Sequence, residues 1–461
     1  MLLLALLAFL AAAPAAAPRT LRLDYVHSGT AGEERFALDG LVLEGEWPGR
    51  LDRALDPLRF GKYLFEVKDA RRGTPLFSRG FASVYGEWET TEDAKRTTRA
   101  FHESLRFPMP EAPVQVVLAK RAADQSFQPV WTVTVDPADP AIDRAPPSPY
   151  RVWAVQRSGE PRDKVDLLLM GDGYTAGEMD QWHADARALA EMLFAVSPFR
   201  ERRADFNVWA VDTPADQSGV SRPSDGVWRR SPLRASYDAF GSERYVLAFD
   251  NKRLREAAAA APYEFVEIAV NDRKYGGGGI YNLYATVAAR SAWAPYLFVH
   301  EFAHHFAGLA DEYYTSPVAY AAAAEGSRVE PWEENVTADP RAARWRDLAA
   351  PGTPLPTPWP KEEFEAAQRE IQARRRRIRE EKRPEEEMDA LFREERRRMT
   401  ALLSPHAGRV GAFEGAMYEA RGYFRPQADC IMFTRDEVPF CAACRRALVR
   451  VIDLFSRPPG P

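Results

Sequence analysis

Cysteine is nearly absent: the 461 residues contain only Cys430, Cys441 and Cys444, all close to the C-terminus. An odd count permits at most one internal disulfide and leaves a thiol over. The C-x-x-C at 441–444 with Cys430 upstream also hints at a metal. A structural zinc needs four ligands, however, and no histidine lies within the cluster. A local disulfide or buried thiols is therefore expected rather than a second zinc site. Excess positive charge is missing too: 62 Lys and Arg stand against 67 Asp and Glu, for a net charge of −5. Binding to phosphates needs a concentrated basic face, so no nucleic-acid partner is expected. Beyond the first twenty residues no stretch is long and apolar enough to span a bilayer, so no membrane insertion is expected of the mature protein.

The start of the chain is different. MLLLALLAFLAAAPAAAPRT is an apolar run followed by small residues ending in Ala15, Ala16 and Ala17. It lacks a basic leading region, but its length and its A-x-A end fit a signal peptide over residues 1–17. The expected location is outside the cytoplasm, in a periplasm or secreted.

The remainder reads as a globular protein of more than one domain. Hydrophobic residues make up 46% and charged residues 28%, enough for a sizeable core. Prolines cluster at 138–149 and 351–360, where ordered loops or linkers are expected. Residues 18–137 carry short alternating runs such as LRLDYVHSG, GKYLFEVKD and VQVVLAKR, separated by polar turns. This spacing predicts an N-terminal β-sandwich, with 138–150 as its proline-rich linker. From 151 to 461 the pattern becomes strand–helix–strand: VDLLLM, a helix over about 176–195, FNVWAVDT, FVEIAVN, a glycine-rich turn in KYGGGGIYN, and LYATVAA. This predicts an α/β domain with a central mixed sheet. Residues 361–403 read as two charge-dense helices broken at Pro384, with Phe364, Ile371, Ile378, Leu391, Phe392, Met399 and Leu402 as a sparse apolar stripe. Glutamates interleaved with the Arg374–Arg377 run make a solvated, salt-bridged face.

The chemistry concentrates at APYLFVHEFAHHFAGLADEYY, residues 294–314, which holds H-E-x-x-H at 300–304. On a helix, positions i and i+4 share a face, so His300 and His304 present two imidazoles to one zinc ion. Glu301 stands beside the open coordination position as base for a zinc-activated water. The apolar stretch at 296–299 makes this a core helix that holds the ligands rigidly. His305 points off the ligand face, as a core or supporting histidine. The metzincin spacing puts Gly three residues, and a third His six residues, after the second His. Here Gly308 follows His304 by four residues, and Ala310 stands where that His would fall. Gly308 can end the helix in a left-handed conformation and return the chain to the metal. That makes Asp311 the natural third ligand, with Glu312 as the alternate.

Taken together, the segments resemble the bacterial IgA-specific metallopeptidase family, a metzincin-like group of secreted zinc peptidases. The resemblance is carried by VDLLLMGDGYTAGEM (165–179), SPFRERRADFNVWAVDTPADQSGVSRP (197–223), YGGGGIYN (275–282), HEFAHHFAGLADEYY (300–314), ENVTADP (334–340), VGAFEGAMYEARGYFRPQADCIMF (410–433) and FCAACRRAL (440–448). It implies a metzincin-like zincin domain, one catalytic Zn²⁺ and endopeptidase activity on protein or peptide substrates. It also implies that Met432 is the counterpart of the methionine turn beneath the metal. Gly276, Gly277, Gly278 and Gly279 look like a cleft-edge strand or turn, where absent side chains let a substrate backbone approach, or a flexible surface loop. Tyr313 or Tyr314 could supply a hydroxyl to the developing oxyanion, or simply pack. The helical pair 361–403 could be a lid or a wall of the cleft. Two other readings stay open: a zinc amidase acting on cell-wall peptides, and a non-catalytic glycan- or protein-binding protein on a zincin scaffold. Cleavage of IgA does not follow, because specificity resides in the cleft and accessory domain.

Overall fold

The computed structural model describes residues 18–147, 149–316, 328–436 and 438–457. Residues 1–17, where a signal peptide is expected, lie outside the described residues. Seven strands come first: β1 (Arg19–Gly29), β2 (Glu34–Glu46), β3 (Tyr63–Asp69), β4 (Pro75–Phe81), β5 (Arg99–Pro108), β6 (Val114–Arg121) and β7 (Phe127–Val135). A short helix, α1 (Val84–Trp88), lies between β4 and β5. The strands form two antiparallel sheets, ordered β2-β1-β5 and β4-β3-β6-β7. Period-two alternation aims Leu21, Leu23, Tyr25 and Phe107 from one sheet, and Phe65, Val67, Val116 and Leu118 from the other, into one shared core. Ile142 joins that core, and the Asp143 backbone pairs with Leu41 and Leu43. The first part of the proline-rich stretch is thus built into this region rather than hanging between domains.

The opposite face of β1 carries Arg22 and Asp24, yet it is buried as well. Arg22 pairs with Asp24 and Glu44, each at 2.9 Å. Arg106 pairs with Glu44 at 2.9 Å, donates to the Tyr263 carbonyl at 2.9 Å and stacks over the Tyr263 ring at 3.6 Å. A polar face that ordinarily meets water here meets the second half of the chain.

That half contains β8 (Val152–Gln156), β9 (Val165–Asp172), α2 (Met179–Phe194), β10 (Phe206–Val211) and a small ribbon of β11 (Ala235–Ser236) and β12 (Leu247–Ala248). Then come α3 (Asn251–Ala258), β13 (Phe265–Val270), β14 (Gly277–Ile280), β15 (Tyr284–Ala288) and α4 (Ala294–Ala307). Six strands form a mixed sheet ordered β14-β15-β13-β9-β10-β8. The inner four are parallel, and both edge strands run antiparallel to their neighbours. VDLLLM on β9 is buried throughout, as a central parallel strand covered on both faces requires. The chain ends with α5 (Lys361–Glu380), α6 (Glu385–Leu403), the hairpin β16 (Phe413–Ala416)–β17 (Glu419–Arg425), and α7 (Ala442–Phe455). The α5–α6 pair buries the expected stripe except Leu402, whose place is taken by Met388 and Leu403. No described helix is long and apolar enough to cross a membrane.

Of the readings open for the glycine run, the structure has the edge strand over Gly277–Ile280 rather than a turn or loop. Its composition follows from how closely it lies against α4. A Cβ on Gly279 would sit 2.2 Å from the Glu301 carbonyl oxygen and 2.8 Å from His304 Cβ. On Gly277 it would sit 3.0 Å from Glu301 Cγ. Gly279→Ala is expected to destabilise by about 1–3 kcal/mol through overpacking, lowering the thermal midpoint by several degrees. Gly40→Ala, which meets nothing within 4 Å, should leave the midpoint unchanged.

A second prediction concerns His27 on β1, held between Glu103 and Glu34 at 3.0 Å each. Burial opposes its charge, but the two carboxylates outweigh burial and raise its pKa above the ordinary 6.5. The folded state therefore binds this proton more tightly than the unfolded chain does. The stabilisation is complete below pH 6.5 and falls away as pH rises through the raised folded value. Denaturant unfolding across that window should show the decline in the native chain and a flatter profile in His27→Gln.

Candidate metal centre

Helix α4 is built to be buried. Pro295 occupies its first turn, where a missing N–H is harmless, and only His304 and Pro295 among its residues are less than fully buried. Gly308 ends it in the left-handed region, φ 59° and ψ 37°, with its N–H donating to the His304 carbonyl at 3.0 Å. Only glycine fits there, since a Cβ would also meet the Trp332 ring at 2.4 Å. The chain then doubles back. Asp311 Oδ1 comes to 3.0 Å from His300 Nε2 and 3.3 Å from His304 Nε2, and the two Nε2 atoms are 3.2 Å apart.

The far side of each imidazole fixes its tautomer. His300 Nδ1 lies 3.0 Å from the Ile431 carbonyl, and His304 Nδ1 bonds the Leu309 carbonyl. A carbonyl only accepts, so both Nδ1 atoms carry the proton in the neutral rings and both Nε2 lone pairs face the Asp311 carboxylate. Three lone-pair donors converging in a buried pocket require a shared positive charge, and they fit a divalent metal. Without a metal, a proton on the imidazoles supplies that charge. Burial disfavours charge on Asp311, yet the two histidines hold its carboxyl well below the usual range. Asp311 in turn pushes His304 up to about 9 against burial.

Asp311 is also held by Tyr418, whose hydroxyl donates to Oδ2. Tyr418 and Met417 form the two-residue turn between β16 and β17, both left-handed at φ 66° and 49°. Such turns usually take Asn or Gly, so bulky residues there store about 1–3 kcal/mol of strain. The tip is tied down by Met417 N–H to the Asp311 carbonyl and Tyr418 N–H to the Tyr313 carbonyl, both 3.0 Å.

The other expected residues sort themselves by direction. Glu301 lines the same cleft as His304 and Asp311. Burial raises its pKa, while His300 and His304 pull the other way. Beneath it, Glu267 of β13 has neither oxygen hydrogen-bonded among the described residues, and burial with nearby Glu301 raises its pKa strongly. Tyr313 lies parallel to the His300 ring at 6.2 Å, faces the cleft, and accepts from Arg244 at 2.9 Å. Tyr314 turns away to Glu365 and stacks on Phe433. Glu312, the alternate ligand, turns away from the histidines: its Oε1 is 3.3 Å from Cys444 Sγ. His305 is a core histidine, bonding the Ile280 carbonyl and accepting from Val266 N–H, with burial lowering its pKa to about 3. Met432 is fully buried in the turn whose preceding carbonyl bonds His300. All three cysteines are free and buried, so no disulfide forms.

The cleft has a volume of about 620 Å³. Gly277 and Gly279 border it on one side, and Lys62, Glu87, Arg121 and Gln125 of the N-terminal region face it from another. No residue of 361–403 lines it; the helical pair instead packs behind the site, where Gln368 and Glu395 border a small cavity reaching His300. Sequence reasoning missed Tyr418, Arg244, Glu267 and the N-terminal wall, because each reaches the site by tertiary contact with no local motif.

A profile described as IgA Peptidase M64 matches residues 153–452, and one described as Peptidase M64 N-terminus matches residues 14–132. The chain belongs to the M64 peptidase family. No curated protein matches it. The two M64 matches divide the chain at the proline-rich stretch, and the larger contains all of His300, Glu301, His304 and Asp311. Membership makes the chain a peptidase of a metallopeptidase family, with protein or peptide substrates. In this M64 chain, Tyr418→Phe should keep the fold and weaken metal binding by about 10–100-fold, since Tyr418 orients Asp311, a candidate ligand. Competition against a graded series of chelators measures this; unchanged affinity would remove Tyr418 from the site.

Proposed function

We propose that the chain is an exported zinc endopeptidase in which Glu301 is the general base. The observation that carries this reading is the meeting of His300, His304 and Asp311 at a cleft that His304, Asp311 and Glu301 line. Two imidazole nitrogens and one carboxylate oxygen are a donor set of catalytic zinc. When bound, zinc supplies Lewis acidity to the scissile carbonyl and to the attacking water. Glu301 takes the water's proton and passes a proton to the leaving amine. Its burial suits both steps, because a raised pKa brings a carboxyl nearer to neutral operating pH. Arg244 occupies a lone pair of Tyr313, leaving that hydroxyl's proton free for a developing oxyanion. In β14 the backbone groups of Gly277 turn outward to Arg244 and Val246, and alternation sends those of Gly279 the same way. Gly277 is thereby already paired with the 244–246 segment, which leaves the outward groups of Gly279 to hold an extended substrate.

On this reading the catalytic half is metzincin-like, with Met432 in the turn beneath the histidines, and residues 18–137 form a β-sandwich accessory domain. Export rests on residues 1–17. Specificity falls to the cleft walls, so the family's name does not assign IgA as substrate.

The test is proteolysis of an unfolded protein such as casein, with peptidoglycan digestion in parallel. Chelation should abolish casein cleavage and zinc should restore it. Glu301→Gln should keep zinc and lose at least about 10²–10⁴-fold in turnover. Cleavage that survives chelation, or undiminished turnover in the variant, refutes the mechanism. Release of cell-wall peptides with casein left intact would assign the chain to the amidases.

A further inference from the structure

We propose that Cys430, Cys441, Cys444 and Glu312 bind a second, structural zinc ion. The sequence offers three thiols and no nearby histidine, which leaves a tetrahedral site one ligand short. The fold supplies the fourth donor from 118 residues before Cys430, at a position adjacent to the catalytic ligand Asp311. The four donor atoms lie within 4.8 Å of one another, and all four residues are buried.

The separations fit a tetrahedron. Zinc–sulfur bonds of ~2.3 Å and zinc–oxygen bonds of ~2.0 Å place sulfurs about 3.8 Å apart and sulfur about 3.5 Å from oxygen. Cys430 Sγ and Cys444 Sγ are 3.9 Å apart. Glu312 Oε1 is 3.3 Å from Cys444 Sγ and 3.8 Å from Cys441 Sγ. Backbone N–H groups favour thiolate at Cys441 and Cys430. Cys441 caps α7, its sulfur accepting from Cys444 N–H at 3.4 Å, where the helix N-terminus stabilises negative charge. Cys430 Sγ accepts from Met432 N–H at 3.5 Å and Cys441 N–H at 3.3 Å. Glu312 is held in turn: Asn335 donates to Oε1 at 3.0 Å and clasps the Ala310 backbone in both directions. Its Oε2 has no hydrogen-bond partner among the described residues. A carboxylate sealed among three sulfurs is costly to bury unless a cation balances it. The thiolate-rich set suits zinc rather than calcium or magnesium.

The site's place explains its purpose. Glu312 N–H donates to the Met432 carbonyl at 2.9 Å, and the neighbouring Ile431 carbonyl orients His300. An ion here clips the Asp311 loop, the Met432 turn and α7 together behind the catalytic ligands.

The test reads metal and thiols, not activity, so it stands apart from the peptidase reading. The purified full chain should carry about two zinc equivalents, and His300→Ala/His304→Ala should retain about one. The cobalt-substituted native chain should show thiolate-to-cobalt charge-transfer absorption. That band should persist in the histidine double variant and vanish in Cys441→Ser/Cys444→Ser. Three thiols should titrate after unfolding in chelator without reductant. A metal-free histidine double variant, absence of the band in the native chain, or a single titratable thiol indicating a disulfide would each overturn the proposal.

Discussion

Gly308 reverses the chain in a left-handed turn at the end of α4, and the return path brings Asp311 back to two imidazoles held one helical turn apart. This reversal sets the order of everything around it. Beyond the turn the chain pairs on alternate sides as an extended segment does, so consecutive residues take opposite directions: Asp311 meets the histidines and Glu312 meets the cysteines. Tyr313 then faces the cleft and Tyr314 the hydrophobic packing behind it. Four successive side chains thus divide between a cleft face and a supporting face. The Met417–Tyr418 turn holds the loop from the cleft side by two backbone hydrogen bonds and one hydroxyl.

What could be read from the sequence is what short-range physics determines. The i, i+4 histidines, the helix that carries them and the glycine that ends it are local features, and they fall where the pattern puts them. The strands VDLLLM, FNVWAV and FVEIAV, and the two helices on either side of Pro384, follow from periodicity in the same way. The unreadable parts depend on which elements meet. Tyr418 reaches Asp311 across 107 positions, and nothing in its neighbourhood marks it as a supporting residue. Glu312 could be recognised as an acid near a metal motif, but its direction depended on the turn. The glycine run left strand, turn and loop open, because glycine permits all three. Here the residue type is dictated by the helix lying against the strand, a constraint written in α4 rather than in the run itself.

The charged helices 361–403 show the same limit from another side. Their amphipathic stripe declared their existence and their buried face, but not their neighbour. They lie behind the histidines, where Arg435 pairs with Glu395 at 2.9 Å and Phe364 stacks on Phe433. The wall of the cleft comes instead from the N-terminal region.

That wall is not loosely docked. Phe60, Val84, Tyr85, Trp88 and Phe101 belong to the same continuous core as the catalytic sheet, and Arg50 donates to the Ser456 carbonyl at 2.7 Å. Arg106 closes over Tyr263 on the far side of the same contact. The proline-rich linker therefore joins two halves that already hold one another by buried aromatic rings and ion pairs. Severing it would leave a noncovalent pair with its cleft intact, whereas the isolated catalytic half would expose those apolar surfaces to water. The accessory region and the peptidase fold are one unit, and the chain's continuity between them is a tether rather than the bond that keeps them together.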